Sequence, residues 1–281
     1  MIEKATPSPW KRFWERGGWW KALALAAVYF ALYELGSMVF IPLALAIEDK
    51  TSGAFILATT ALPILLGSLL LVLFALSTGW LKELFARQPI RGRGWMWIAV
   101  AVVLVFNVLR MATVDYNSAG FGVVAAWLLT GLLVGFAEET LTRGLVVNLL
   151  RKAGYREIAV AALSSAVFAG LHAGNLLSGQ SLFVTAFQLV YTFGFGMCMY
   201  LALRVTGNLL WPILLHASTD PSIFLQTAHP AAGPLASIAG MGNIAVILVG
   251  LVALLFIRGR VAARALESGL VDPSTAGRTL S

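Results

Sequence analysis

Three short stretches of an otherwise apolar chain hold the residues that could do chemistry. GFAEETLTRG (135–144) carries two adjacent carboxylates, Glu138 and Glu139, and Arg143; FAGLH (168–172) ends on His172; HASTD (216–220) opens on His216 and closes on Asp220. A carboxylate kept from bulk water suits a general base that activates water, and Glu138 is the residue assigned that role. Imidazoles and an aspartic acid facing it could stabilise the oxyanion formed when water adds to a carbonyl. The same inventory could hold a divalent metal, with Glu138, His172 and His216 as the ligand set, although the HExxH spacing of soluble zinc peptidases is absent. Zinc or no metal both stay open at this point.

Helical spacing gives these groups shared faces. Glu139 and Arg143 are four apart and can pair, while Glu138 is turned by about 100° from Glu139. Phe168 and His172, and again His216 and Asp220, are also four apart. Each set has a plainer reading: a structural ion pair for Glu139 with Arg143, a core histidine for His172, a helix cap for His216 with Asp220. Six unrelated ionisable groups in apolar spans is the weaker account, because charge at a helix centre costs about 2.5–3.5 kcal/mol on insertion scales. Glu34 reads as a structural hydrogen-bonding group and His229, in TAHPAAGP, as incidental. Ser164 and Ser165 lie two turns from His172 and point away from a serine–histidine pair, and the single cysteine, Cys198, has no adjacent base.

The elements that must position these residues are membrane helices. The chain has 281 residues, 59% hydrophobic and 12% charged, against roughly 25% charged in soluble domains. No polar segment is long enough to build a soluble domain. Eight apolar segments are expected, near 20–47, 54–78, 95–113, 120–142, 158–174, 181–203, 208–220 and 237–257. With both termini in the cytoplasm, all of the 20 Lys and Arg except Lys50 and Arg110 fall on the cytoplasmic side. The net charge of +7 is then a topology signal and not a nucleic-acid footprint. SPWKRFWERGGWWK reads as an interfacial lead-in and not as a cleaved signal peptide, and the tail after Ile257 as a short amphipathic piece. No internal repeat is visible. Residues 1–119 form an N-terminal part with three spans, 120–220 a core with the three motifs, and 221–281 a last span and tail.

EETLTR (138–143), FAGLH and HASTD resemble, in this order, the EExxxR, FxxxH and HxxxN/D elements of the CAAX protease and bacteriocin-processing family of intramembrane endopeptidases. The similarity covers roughly residues 120–220. It implies an all-α fold of about eight helices around a polar cavity open to the cytoplasmic side. By motif, Glu138 would be the water-activating base, Glu139 its partner, and Arg143 the residue holding the acidic pair. His172 would position water or a metal, and His216 with Asp220 would form the oxyanion-stabilising pair. Asp220 stands where the CAAX-trimming branch has asparagine, and an aspartate donates a hydrogen bond only when protonated; ionised, it would orient His216. The resemblance thus implies a multi-pass inner-membrane peptidase whose partners are lipids and a peptide or protein substrate. A proton-coupled transporter and a non-catalytic bacteriocin-immunity scaffold are the alternatives. Depth poses one difficulty: His172 would lie about 21 Å inside the membrane, deeper than Glu138. A fourth span ending at mid-bilayer, with LVVNLLRKAG (145–154) as a half-buried amphipathic helix, would resolve it. The seventh span, opened by GNLLWP and stopped by Pro221, is expected to be only partly inserted.

Overall fold

The computed structural model describes residues 8–261; Lys4, Arg264 and Arg278, and the amphipathic tail from residue 262 on, lie outside the described residues. A short helix, α1 (Pro9–Glu15), is capped by Ser8, whose hydroxyl accepts from the Lys11 N–H at 3.2 Å. Eight long helices follow: α2 (Trp19–Ala46), α3 (Gly53–Thr78), α4 (Gly94–Ala112), α5 (Tyr116–Lys152), α6 (Glu157–Leu176), α7 (Leu182–Thr206), α8 (Leu210–Ala228) and α9 (Pro234–Ala253). No strand occurs among the described residues, and seven of these helices are long and apolar enough to cross a membrane. The eighth, α8, is diluted by His216, Ser218, Thr219 and Asp220. The chain is an all-α polytopic membrane protein.

Two expectations about the helices need correction. The fourth span does not stop near residue 142. It continues without a break to Lys152, and LVVNLLRK is almost wholly buried instead of lying half-exposed. Arg151 explains how: its Nε and Nη2 donate to the two oxygens of Glu157 at 2.9 and 2.8 Å, and its Nη1 to Gln88 Oε1 at 2.5 Å. Arg204 joins the same carboxylate at 3.1 Å, as does the Tyr200 hydroxyl. With its charge met inside the protein, Arg151 need not mark a membrane interface. The longer α5 also removes the depth difficulty. Counted from the end where α5 closes and α6 begins, Glu138 and His172 both lie about 21–22 Å in at 1.5 Å per residue. Likewise α8 runs through Pro221 to Ala228. Proline inside a membrane helix is tolerated where neighbouring helices enclose the freed carbonyl.

The two described ends of the chain meet that same end of the bundle. Gly18 N donates to Leu149 O at 3.0 Å, and Glu157 N to Gly259 O at 2.9 Å. Lys152 holds α1 in place through Glu15 at 2.6 Å and also pairs with Glu83 at 2.9 Å, while Trp80 Nε1 donates to Glu15 at 2.7 Å. Burial alone would raise the Glu15 carboxyl, but the hydrogen bonds from Lys152 and Trp80 outweigh it and hold the group below its ordinary value of 4.5. A depressed carboxyl stabilises the docked helix above the ordinary value, and that contribution is lost as the pH falls through the lowered one. Glu15→Gln should therefore loosen α1 at neutral pH as acid does in the wild type. Faster hydrogen–deuterium exchange over residues 9–21 would report it, and unchanged exchange would contradict it.

The contact between α5 and α8 matters most for the site. A methyl built on Gly135 would lie 2.5 Å from Ile213 O and 2.8 Å from Ala217 N, and one on Gly131 2.5 Å from Ala217 O and 2.4 Å from the Pro221 ring. The two helices touch backbone to backbone along this small-xxx-small stripe. On its other side α8 is held by α4. Asn107, buried on α4, donates to Ser218 Oγ at 2.9 Å and Thr219 Oγ1 at 2.8 Å.

Candidate active site

Glu138 and Glu139 close the α-helical part of α5, and the next seven residues, Thr140–Val146, form a π-helical turn. Such wide turns are rare and are frequent at functional sites, because they free backbone carbonyls and re-aim side chains. Here Thr142 Oγ1 donates back to the Glu138 carbonyl at 2.5 Å, and Arg143 Nη1 donates to Thr142 Oγ1 at 2.5 Å and to Glu139 Oε1 at 3.3 Å. Glu139 and Arg143 are fully buried.

The direct approach of α8 brings His216 Nδ1 to 2.7 Å from Glu139 Oε1. That carboxylate oxygen is shared between an arginine from its own helix and an imidazole from another. With Nδ1 engaged, Nε2 faces the other two acids, 3.6 Å from Glu138 Oε2 and 3.8 Å from Asp220 Oδ1. Both separations exceed a hydrogen bond. Glu138 and Asp220 keep 22% and 26% of their side-chain surface open, whereas His216 keeps 2%. The imidazole is the fixed member of the group, and the two carboxylates border an open gap in front of it.

His172 stands at the end of the α-helical part of α6, where the chain tightens into a 3-10 turn, His172–Leu176. Its Nδ1 lies 3.0 Å from Phe168 O. The Phe168 ring meets both imidazoles edge-on, at 4.9 Å for His172 and 5.8 Å for His216, and the Arg143 guanidinium lies over that ring at 4.6 Å. Phe195 of α7 closes on His216 at 4.8 Å. The structure thus brings Glu138, Glu139, Arg143, His216 and Asp220 into one group, with His172 beside it across a shared aromatic ring.

The remaining marked residues lie elsewhere. His229 pairs with Ser118 at 3.0 Å, and no hydrogen bond or ion pair of the described residues includes the Glu34 carboxylate. Ser164 donates to Ala161 O, Ser165 packs beside Arg143 against Gly196, and Cys198 is buried against Val246 O. Sequence reasoning missed Thr142, Phe195 and Asn107, and the stripe Gly131–Gly135 that sets the helix contact. Only the stripe had a readable signal, the small residues of GLLVG.

Zinc requires ligands converging at about 2.0–2.3 Å. Among the described residues no group of three His, Cys, Asp or Glu side chains is gathered in that way. With Nδ1 of His216 held by Glu139 and Nδ1 of His172 facing a carbonyl, each Nε2 is left open, as in metal-binding imidazoles, but Glu138, His172 and His216 are not gathered at ligand spacing in this structure.

Residues 120–221, the segment with all three motifs, match the model of the Rce1-like family, type II CAAX prenyl endopeptidase Rce1-like. This match supports the similarity of that segment to the CAAX protease and bacteriocin-processing family, a family of membrane proteases. No curated protein and no solved structure matched the chain.

Proposed function

We propose that this protein is an intramembrane endopeptidase that hydrolyses a peptide bond with water activated by Glu138. The observation that carries the reading is His216, locked by Glu139 through Nδ1 and presenting Nε2 to the gap between Glu138 and Asp220. In the reaction Glu138 removes a proton from water as the oxygen adds to the scissile carbonyl. His216 Nε2–H donates to the oxyanion, and Glu138 passes its proton to the departing nitrogen as the C–N bond breaks. Glu139, paired with Arg143, fixes the imidazole ring. His172 positions the water or the substrate from the far side of Phe168. Asp220 lies too far from His216 for a hydrogen bond, and the role left to it is to hold a charged imidazole across the gap.

An apolar cleft of about 590 Å³ runs between α2 and α6, from Trp19 to Leu177, with Val146 and Leu150 as its floor. Its wall includes Leu171 and Ala173, the neighbours of His172. Such a cleft suits a substrate with a lipid chain or a membrane-embedded segment, in keeping with the prenylated substrates named for the family. The distribution of basic residues supports a cell-membrane protein with both termini on the cytoplasmic side, and the reading takes the site to be reached from that side.

A proteomic comparison of membranes from cells with the wild type and with Glu138→Ala tests this. Precursors or longer peptides should accumulate in the variant. Identical peptide termini in both membranes would remove the reading.

A further inference from the structure

Arg110, expected on the outer side of the membrane, lies in the last turn of α4 and is buried there. Its side chain is 3% exposed on α4, and Nη2 donates to Asn243 Oδ1 of α9 at 2.8 Å. No ion pair joins it to a carboxylate among the described residues, although every other buried arginine that touches the site or its supports has one: Arg143 with Glu139, Arg151 and Arg204 with Glu157. Counted from the end with both described termini, Arg110 lies about 24 Å along α4 and Glu138 about 21 Å along α5, so both occupy one level of the bundle.

An unopposed guanidinium at that depth is expensive. Proximity to the carbonyl end of α4 offsets part of the cost, since cations near a helix C-terminus are favoured. It does not satisfy the remaining N–H groups. A methyl on Gly242 would lie 2.6 Å from Nη2, so α9 has a glycine where the guanidinium rests. Nε and Nη1 make no hydrogen bond among the described residues, and neither is among the sealed buried atoms. Asn107, one turn before Arg110 on α4, holds Ser218 and Thr219 of α8, between His216 and Asp220, which sets this corner of α4 against the helix that borders the catalytic gap.

Resting on the endopeptidase reading above, we propose that Arg110, with Asn243 beside it, is the subsite for a carboxylate of the substrate peptide. A planar guanidinium with free N–H groups suits a two-oxygen anion. A carboxylate held here fixes how far the scissile bond lies from the anchored group, and makes that distance a specificity determinant. A free C-terminus and an acidic side chain present the same chemistry.

The test uses the full-length protein in proteoliposomes and quenched fluorescent peptides of randomised sequence in three forms: free C-terminal acid, C-terminal amide, and amide with an aspartate near the end. The wild type should cleave the acid, or the aspartate form if the side chain is the anchor, with a kcat/KM about tenfold or more above the plain amide. Arg110→Gln should lose that preference, Arg110→Lys should keep part of it, and neither should melt below the wild type. Equal cleavage of all forms by the wild type, or a preference that survives Arg110→Gln, overturns the subsite. Binding to Glu138→Gln protein, read by anisotropy, separates the two claims. An acid-over-amide preference in binding with no cleavage by the wild type would retain the subsite and remove the endopeptidase. Cleavage without any such preference would do the reverse. Loss of folding in Arg110→Gln, together with Arg110→Lys that treats the forms alike, would mark a purely structural arginine.

Discussion

Glu138→Gln should slow cleavage by about three orders of magnitude in a protein that melts with the wild type. General-base catalysis contributes about 10²–10⁴-fold, and glutamine keeps the size of the side chain while removing its capacity to take a proton. The side chain borders the open gap and accepts no hydrogen bond among the described residues, so the fold has little to lose. Glu139→Gln should behave differently. Its carboxylate is fully buried and serves both Arg143 and His216. Without the charge a buried arginine is left unopposed, and breaking a buried pair from one side costs about 3–5 kcal/mol. Cleavage and melting temperature should then fall together. Kinetics and thermal melts on the two variants distinguish a catalytic carboxylate from a supporting one. If Glu138→Gln retained turnover, or if both variants melted alike, the division of labour would be wrong.

Much of the architecture was legible because lipid leaves the backbone few options. Long apolar runs punctuated by basic loops mark helices, and eight expected segments correspond to eight long helices. The motif faces were legible for a similar reason, since a spacing of four puts Glu139 with Arg143 and His216 with Asp220 on common sides. The errors share a physical cause. Arg151, at the far end of LVVNLLRKAG, looked like a charge that marks an interface. It is instead neutralised within the protein by Glu157, six residues on and across a turn, a pairing that helical spacing does not reveal and that Arg204 joins from 47 residues away. Pro221 looked like a stop because its missing N–H leaves Ala217 O without its helical donor. The structure faces that carbonyl with Gly131, where a side chain would not fit. The π-helical turn at Thr140–Val146 left no trace in hydropathy, because it changes the twist of an already helical segment and not its composition.

Gly135→Val should disable the site from a position that makes no contact with the gap. The first carbon of any side chain there would lie 2.5 Å from Ile213 O, 2.8 Å from Ala217 N and 3.1 Å from Ala217 Cα. These are backbone atoms of a helix, so no rotamer change relieves the overlap and α8 must move as a body. His216 is the neighbour of Ala217, and its 2.7 Å contact with Glu139 is the first casualty. A displacement of about 1 Å can cost 10²-fold in rate, so cleavage should fall by at least that much. Asn107 resists the movement from the far side of α8 through Ser218 and Thr219, and for that reason the strain should also lower the melting temperature. Gly122→Ala is the control on the same helix. A methyl there meets nothing within 4 Å among the described residues, and replacing a helical glycine should be neutral or stabilising by about 0.5–1 kcal/mol. Wild-type turnover in Gly135→Val would mean that the α5–α8 approach does not set the position of His216, and the route from helix contact to catalysis would have to be sought elsewhere in the bundle.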